Sequence, residues 1–413
     1  MPTLAIQWAR LGPYHHARLR ATHDLLRRKR WSLIALETAA DDRTYAWEID
    51  DRETEYPRVR AMPERTYDEA SPCQVFRAVT SRLDVHTPDV VAFMGGYSTP
   101  DARACLSWCR RFERPAVIMM ESKADDATRN PMREWVKRMI VSLGDAALAG
   151  GTPQREYLEQ LGMPANRIFE PYDVVDNAFF SDRAIEVATH PDRFRELPGL
   201  ESSEPFFLAS NRFVERKNLR TLLDCFARYR NATAKPWRLI MLGDGPLRGD
   251  LERRTREGVT FAGFRQIGEL PAYYGRASAF VHPALQDQWG LVVNEAMASG
   301  LPVVVSTGAG CSRDLVAHGT NGFVFDPVDE DALVGRLRTM SELSRDELAR
   351  MGDASRRIVS KWSPEAFADG MWSALQAARH HAESREPAWL PLLVLGAAQA
   401  ASRSTTSFHA IRS

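Results

Sequence analysis

The feature that most constrains the fold of this chain is an alternation of short apolar runs with longer amphipathic stretches. In the first half the apolar runs are LAIQW, WSLIAL, DVVAFM, AVIMM and AALAG, with helical patterns such as HHARLRATHDLLRRK between them. The alternation restarts with FFLAS, WRLIML, VTFAG, SAFVHP, PVVVS and FVF. This pattern is typical of parallel strands joined by crossover helices. The sequence therefore predicts an α/β protein with two doubly wound, Rossmann-like lobes.

The alternation is lost in a polar stretch that contains HPDRFRELPGLESSEP, which indicates a linker. Open parallel sheets bind ligands at the carboxyl ends of their strands, so two facing sheets predict a central cleft. The expected divisions are an N-terminal lobe over 1–180, a linker over 181–204, a C-terminal lobe over 205–365, a helix over 366–384 that returns toward the N-terminal lobe, and a poorly ordered tail over 385–413.

Composition narrows the range of partners. Lys+Arg and Asp+Glu are both 54, so the net charge is zero, which argues against a dedicated nucleic-acid binder. The odd count of 5 cysteines, with no signal peptide, leads us to expect a reducing cytoplasm. The longest apolar run, WLPLLVLGAAQAA from Trp389, is too short to span a bilayer. A poorly ordered tail and a peripheral membrane contact both remain open for it.

Three strand ends in the second lobe carry residues that suit an anionic ligand. Arg212 and Lys217 follow FFLAS, and Gly243 and Gly245 lie in the GDGP turn after WRLIML. SAFVHP leads into a helix start. Cations neutralise a diphosphate, glycines allow close backbone approach, and helix amides bind anions. Each piece alone also fits a solvated helix start or a simple turn, but their order along the chain favours a diphosphate site.

The stretch DQWGLVVNEAMASGLPVVVS places two carboxylates, Asp287 and Glu295, eight positions apart. The helix is predicted to begin near Gly290, so Asp287 precedes it and the two cannot form a helical side-chain pair. The spacing is instead expected to match the length of a ligand. The alternative for Glu295 is a helix-surface carboxylate paired with a nearby cation.

These motifs resemble the retaining, nucleotide-sugar-dependent glycosyltransferases of family 4, which have the GT-B fold. The resemblance is close over 206–370 and weaker over the first lobe, notably in DAALAGGTPQREYLEQLGMPANRIF. Its most specific element is the carboxylate-x7-Glu signature, with Gly290 inside it and EAMASGLPVV after it. NGFVFDPVDEDAL is similar to the family's next segment.

The resemblance implies a role for each of these residues. Arg212 and Lys217 would hold the diphosphate of a UDP- or GDP-sugar. Asp287 would lie near the donor sugar, at a position where the family usually has Glu. The remaining donor-binding residues would be Gly243 and Gly245, the amides of Gly290, Leu291 and Val292 at the phosphate, and Glu295 at the ribose hydroxyls.

The turns of the first lobe, on the acceptor side of this fold, provide the acceptor candidates. For the turn after the first strand, a simple helix start is the alternative. The candidates are Gly12, Tyr14, His15 and Arg18 after the first strand, Gly96 in MGGYS, and Glu121 and Lys123 after AVIMM. No Asp-x-Asp signature follows an apolar strand, so we expect no obligatory metal and no other obligatory cofactor.

The resemblance thus implies a retaining hexosyltransferase, which we expect in the cytoplasm or at the inner face of the membrane. Its hydroxyl acceptor would be a saccharide, a lipid-linked saccharide or a small metabolite, in bacterial polysaccharide, glycolipid or glycoside biosynthesis. One alternative is a non-catalytic nucleotide-sugar sensor, suggested by Asp287. Another is a phosphorylase or epimerase on the same fold, although a pyridoxal-type phosphorylase needs a buried lysine, which no apolar segment indicates.

Overall fold

The computed structural model describes residues 1–41, 47–48, 54–95, 99–255, 257–386 and 388–401. The chain divides into two compact units. Unit 1 contains Met1–Val174 and Pro364–Ser413, and unit 2 contains Val175–Ser363. Each unit is built on its own parallel sheet.

Unit 1 has a seven-stranded sheet in the order β3-β2-β1-β4-β5-β6-β7. Its strands are β1 (Thr3–Trp8), β2 (Ser32–Asp41), β3 (Arg58–Thr66), β4 (Val90–Met94), β5 (Ala116–Met120), β6 (Ala146–Ala149) and β7 (Ile168–Phe169). Its helices are α1 (Pro13–Arg28), α2 (Pro72–His86), α3 (Pro100–Arg111), α4 (Pro131–Val141), α5 (Thr152–Gln160), α14 (Pro364–Ser384) and α15 (Trp389–Ala401).

The centre of this sheet is apolar on both faces, as expected where helices cover a parallel sheet on both sides. Every residue of β5 is buried, as is every residue of β6. The chain order reverses where β1 lies between β2 and β4, which is where doubly wound sheets bind ligands at their carboxyl edge. The turns after β1 and β5, which carry the described acceptor candidates, lie at that edge.

The end of the chain differs from the sequence expectation. A poorly ordered tail was expected over 385–413, but 389–401 form the helix α15, which packs against α3 and α4. Leu395 is buried in the core of unit 1, and the Arg385 guanidinium donates to the fully buried carboxylate of Asp145 at 3.1 Å. This tertiary anchoring has no local sequence signal. The preceding helix, α14, packs against α1 and β6.

Unit 2 has a six-stranded sheet in the order β10-β9-β8-β11-β12-β13. Its strands are β8 (Phe206–Ser210), β9 (Arg238–Leu242), β10 (Val259–Gly263), β11 (Ala279–His282), β12 (Val303–Ser306) and β13 (Gly322–Phe325). Its helices are α6 (Asn177–Thr189), α7 (Leu219–Ala232), α8 (Arg248–Arg253), α9 (Leu270–Arg276), α10 (Leu291–Ala298), α11 (Ser312–Leu315), α12 (Glu330–Glu342) and α13 (Arg345–Val359).

The expected linker is partly helical. Helix α6 lies where the polar stretch was taken to begin, and it packs against α9 and α10 within unit 2. Phe180 and Ala184 are buried on its inner face, and the Phe180 ring meets Tyr274 edge to face at 5.8 Å. Two strands were also not predicted from the sequence. β3, RVRAMPERT, lies at the sheet edge and is mostly polar, and β7 has only two residues.

All eleven apolar runs picked out from the sequence do form strands. Within the described ranges, no helix is long and apolar enough to cross a membrane.

Candidate functional site

The candidate donor site lies at the carboxyl edge of the unit 2 sheet, where a buried lysine meets a buried aspartate. Lys217 follows β8 and Asp287 follows β11, its neighbour in the sheet. The Lys217 ammonium donates to Asp287 Oδ2, and the two side chains are 10% and 12% exposed. His282, the last residue of β11, has its Nε2 atom 2.9 Å from the same oxygen. The topology therefore unites residues 70 positions apart.

The histidine at this edge is a neutral donor. Burial lowers the pKa of His282, although the neighbouring Asp287 carboxylate opposes the shift. An ionised carboxylate only accepts hydrogen bonds, so the hydrogen of the neutral ring lies on Nε2 and points at Asp287. Nδ1 then carries no hydrogen and has no hydrogen-bond partner among the described residues.

Asp287 is held as an anion. Burial on its own would raise the pKa of this carboxyl, but the Lys217 ammonium and the hydrogen bond from His282 outweigh it and bring the pKa well below its usual range. Its backbone is fixed as well, because the Asp287 amide donates to the Gly308 carbonyl at 3.0 Å and the Gly310 amide donates to the Asp287 carbonyl at 3.1 Å. The carboxylate therefore occupies a defined position at neutral pH.

The start of α10 lies directly beside this carboxylate. Gly290 caps the helix at φ 104°, and a Cβ atom there would lie 3.3 Å from both Asp287 Oδ2 and His282 Nε2. Leu291 and Val292 are the first two helical residues, whose amides point out of a helix start. Glycine at this position therefore brings anion-binding amides close to the ion pair.

The two glycines after β9 bring that turn against the turn after β8. Gly243 has φ 124°, and a Cβ atom there would be 1.8 Å from the Asn211 carbonyl oxygen. A Cβ atom on Gly245 would be 2.7 Å from the Phe213 carbonyl oxygen. Arg212 lies between these two contacts and is half-buried. The glycines thus fix the backbone from which the Arg212 side chain extends.

Glu295 is not the helix-surface carboxylate that the sequence left open. It is fully buried on α10 and accepts a 2.6 Å hydrogen bond from the Tyr274 hydroxyl on α9. Burial of a carboxylate is unfavourable unless it is hydrogen-bonded, so the bond from Tyr274 helps to stabilise its position. Tyr274 and His282 both escaped sequence reasoning. The available signal for His282 was its place at the end of an apolar strand, five residues before Asp287.

The sequence also gave no indication of a buried lysine, whereas the described residues include two, Lys217 in unit 2 and Lys123 in unit 1. Periodicity could not reveal them because both lie in turns after strands. Lys123, only 3% exposed, pairs with Asp125 at 2.6 Å and with Asp126 at 3.7 Å. Each buried lysine is thus paired with a carboxylate.

In unit 1 two of the candidates after β1, Gly12 and His15, contact each other within their own turn. The Gly12 amide donates to His15 Nδ1 at 2.8 Å, and this bond caps the start of α1. Burial and then the Arg18 charge hold the pKa of His15 well below its usual value, in agreement with a ring that accepts at Nδ1. Tyr14 meets the Trp47 ring edge to face at 6.3 Å.

The other unit 1 candidates are less uniform. Arg18 is buried, donates to the Val174 carbonyl at 3.0 Å and lies 4.5 Å over the Tyr172 ring. These contacts give it a structural role. Glu121 is half-buried directly after β5. Gly96 lies outside the described residues. Over the part of the chain that the structure describes, no cluster of three or more His, Cys, Asp or Glu side chains is arranged to hold a metal ion.

Known proteins are similar to this chain in sequence and in fold. Residues 192–358 match the family model of the glycosyl transferases group 1. This segment lies within unit 2. The sulfoquinovosyl transferase SQD2 of Arabidopsis thaliana is 34% identical over 166 residues, which are 39% of this chain and 31% of the relative. A GDP-mannose-dependent alpha-mannosyltransferase of Corynebacterium glutamicum is 25% identical over 321 residues, 74% of this chain and 70% of the relative.

The likeness to solved structures concerns the fold. Anabaena HepE, solved in complex with UDP and glucose, matches with a TM-score of 0.66 and 16% identity over 91% of this chain and 100% of that chain. The predicted GT-B fold, with two Rossmann-like parallel sheets, is confirmed. The chain spans between 31% and 44% of the length of the first curated relatives that it matches.

Proposed function

We propose that this protein is a retaining glycosyltransferase that moves a hexose-type sugar from a nucleoside diphosphate to a hydroxyl acceptor. The observation that carries the proposal is the buried Lys217–Asp287 pair beside the start of α10, at the carboxyl edge of unit 2. Open α/β sheets bind nucleotides at this edge. The group 1 match covers the same residues.

The diphosphate is proposed to lie between Arg212, Lys217 and the first amides of α10. An ammonium group has three N–H donors, so the bond from Lys217 to Asp287 leaves donors for phosphate oxygens. The amides of Leu291 and Val292 add the partial positive charge of a helix start. Together these groups would offset the charge of the leaving diphosphate, and the reaction is proposed to need no metal.

The two carboxylates have different proposed roles. Glu295 would accept hydrogen bonds from the ribose hydroxyls. Asp287 would lie beside the donor sugar and also fix the Lys217 ammonium. Because His282 and Gly290 pack close to its carboxylate, the shorter Asp side chain fits this position. That fit gives a structural reason for Asp at a position where the family that this chain resembles usually has Glu.

Retention of configuration is proposed to follow from a front-face displacement. The bond from the sugar carbon to the diphosphate oxygen breaks, and the bond to the acceptor oxygen forms on the same face. The acceptor proton passes to the leaving diphosphate oxygen, so atoms and charge balance. The role of the cations and helix amides is to stabilise the negative charge that develops on that oxygen.

The donor is proposed to be a UDP- or GDP-sugar, a choice supported by the names of a GDP-mannose-dependent relative and a UDP-bound structural neighbour. Unit 1 is proposed to bind the acceptor, through the turns with Gly12, His15, Glu121 and Lys123. The acceptor would be a saccharide, a lipid-linked saccharide or a small metabolite. The reaction would take place in the cytoplasm or at the inner face of the membrane.

A panel of nucleotide sugars tests the proposal. The purified protein is incubated with UDP-, GDP-, TDP- and ADP-sugars, with and without a mixture of acceptors, and released nucleotide is measured. We expect one base to be preferred, release to require an acceptor, and chelator to leave release intact. Binding without turnover for every donor and acceptor would instead support the sensor. Inactivation by chelator with recovery in magnesium or manganese would refute metal independence.

A further inference from the structure

Helix α15 is fixed to unit 1 by one face only. Val394, Leu395 and Ala398 belong to or pack against the unit 1 core. Gln399 is buried and its Oε1 accepts a hydrogen bond from Arg103 Nε at 3.2 Å. The inner face is therefore ordinary for a helix on a folded domain.

The outer face of α15 is also apolar. Trp389 is 69% exposed and Leu393 is 64% exposed, with Leu390 and Leu392 beside them. The helix sequence, WLPLLVLGAAQAA, contains no charged residue. A helix on the surface of a globular protein normally turns a polar face to water. A contiguous exposed apolar patch therefore marks a surface that another phase or partner covers.

Helix α4, which packs against α15, also has exposed apolar side chains. It exposes Met132 at 76% and Trp135 at 45%. Six of the twelve exposed large apolar side chains among the described residues thus lie on these two helices. Helix α4 has three cationic side chains and one carboxylate, which give it a net charge of +2. Two of the cations, Arg133 and Arg138, are exposed.

We propose that the outer faces of α15 and α4 form a surface that docks on an anionic lipid bilayer. Tryptophan and leucine insert at the boundary between headgroups and acyl chains, while arginines attract anionic headgroups. A symmetric contact between two copies through this face would bring the same cations together, which is unfavourable. The combination of apolar and cationic side chains therefore favours an anionic bilayer over a second copy of this chain as the partner of the surface. This surface is separate from the proposed donor site.

Vesicle flotation of the full chain tests the proposal. Wild type is expected to float with phosphatidylglycerol vesicles and to remain unbound with phosphatidylcholine vesicles. The variant Trp389→Glu/Leu393→Glu changes only exposed side chains and is expected to lose at least tenfold in binding. Arg133→Gln and Arg138→Gln are each expected to weaken binding about fivefold, with the difference reduced at high salt. Ile185→Glu, at an exposed aliphatic residue on a helix of unit 2, is the matched control.

Each result decides the proposal. Retained melting temperature and nucleotide binding in the Glu variant, with lost flotation, support it. It is overturned if the Glu variant floats as well as wild type, or if Ile185→Glu loses as much binding. It is also overturned if wild type does not float and self-associates through this face. Flotation only of a chain that ends at Ala401 would show that the following residues cover the patch, and would equally overturn it.

Discussion

The two units each bury a lysine in a turn at the carboxyl edge of a parallel sheet, yet the two lysines have different surroundings. Lys217 pairs with Asp287, which is 12% exposed and 70 residues away. Lys123 pairs with Asp125 and Asp126, which are two and three residues away and are 71% and 13% exposed. The first pair exists only in the folded unit, whereas the partners of Lys123 are its neighbours in the sequence. The two buried lysines therefore differ in whether the fold brings their carboxylate partner from a distant part of the chain.

The largest expected effect is on stability. Lys217→Met leaves the Asp287 charge buried without its cation, so we expect a loss of about 3–5 kcal/mol in unfolding free energy. Lys123→Met leaves Asp125 exposed to water and leaves Asp126 with the hydrogen bond from the amide of residue 123, so we expect a smaller loss. Denaturant unfolding of both variants measures the difference. Adding Asp287→Asn to Lys217→Met should cost less than the two single losses combined. Equal losses for the two lysines would remove the distinction between the units.

A second prediction concerns turnover. Asp287→Asn removes charge beside the proposed reacting sugar, so kcat should fall by about 10²–10³-fold, with a smaller change in donor KM. Asp287→Glu should also lower kcat, because the longer side chain crowds Gly290 and His282. Steady-state kinetics with the preferred donor separates the cases. A gain of activity in Asp287→Glu would instead indicate that the wild-type protein, with Asp at this position, has lost transferase activity and acts as a sensor.

A third prediction concerns donor affinity. Arg212→Ala removes a proposed charge-assisted contact to the diphosphate, worth about 1.5–3 kcal/mol, or roughly 10–150-fold in Kd. Arg220→Ala is the matched control, because this cation of the same segment pairs with Glu215 and Asp250. Calorimetric titration with UDP and GDP gives both values. Unchanged affinity in Arg212→Ala would remove this residue from the diphosphate site.

The smallest expected effect distinguishes two roles for Glu295, binding of the donor ribose and packing within unit 2. Glu295→Gln weakens hydrogen bonds to the ribose in the ground state and transition state alike, so donor KM should rise more than kcat falls. Tyr274→Phe removes the hydroxyl that donates to Glu295 but keeps the carboxylate. It should lower stability by about 0.5–1.5 kcal/mol with little change in KM. The same kinetic change in both variants would give Glu295 a packing role only.

The two units also differ in how far sequence reasoning reached. Apolar runs located the strands, and strand ends brought Arg212, Lys217 and Asp287 to one edge. The conformation around Arg18 was not predictable, because its carbonyl partner at Val174 lies 156 residues away. His282 was missed because a single histidine at the end of an apolar strand has no spacing signal. Motifs with several positions thus predicted a site, whereas single polar residues in turns did not.

Helix assignments failed for a related reason. The residues of α6 and α15 were taken for a linker and a tail because their stabilising contacts are tertiary. Phe180 meets Tyr274 on α9, and Leu395 enters the core of unit 1. The apolar run of α15 was visible in the sequence, but polarity alone does not distinguish a packed helix from an exposed apolar tail. The strand β3 was missed because it is a polar edge strand.

Hydrogen exchange of the full chain tests most directly the claim that unit 2 contains the donor site. Amides in folded segments exchange more slowly when a ligand stabilises them. With saturating UDP or GDP, the account predicts slower exchange at 211–217, 243–247 and 290–293, and unchanged exchange at 12–18 and 121–123. Acceptor addition should then slow the unit 1 segments. The account would be contradicted if nucleotide slowed amide exchange only in the unit 1 segments and left exchange in the three unit 2 segments unchanged.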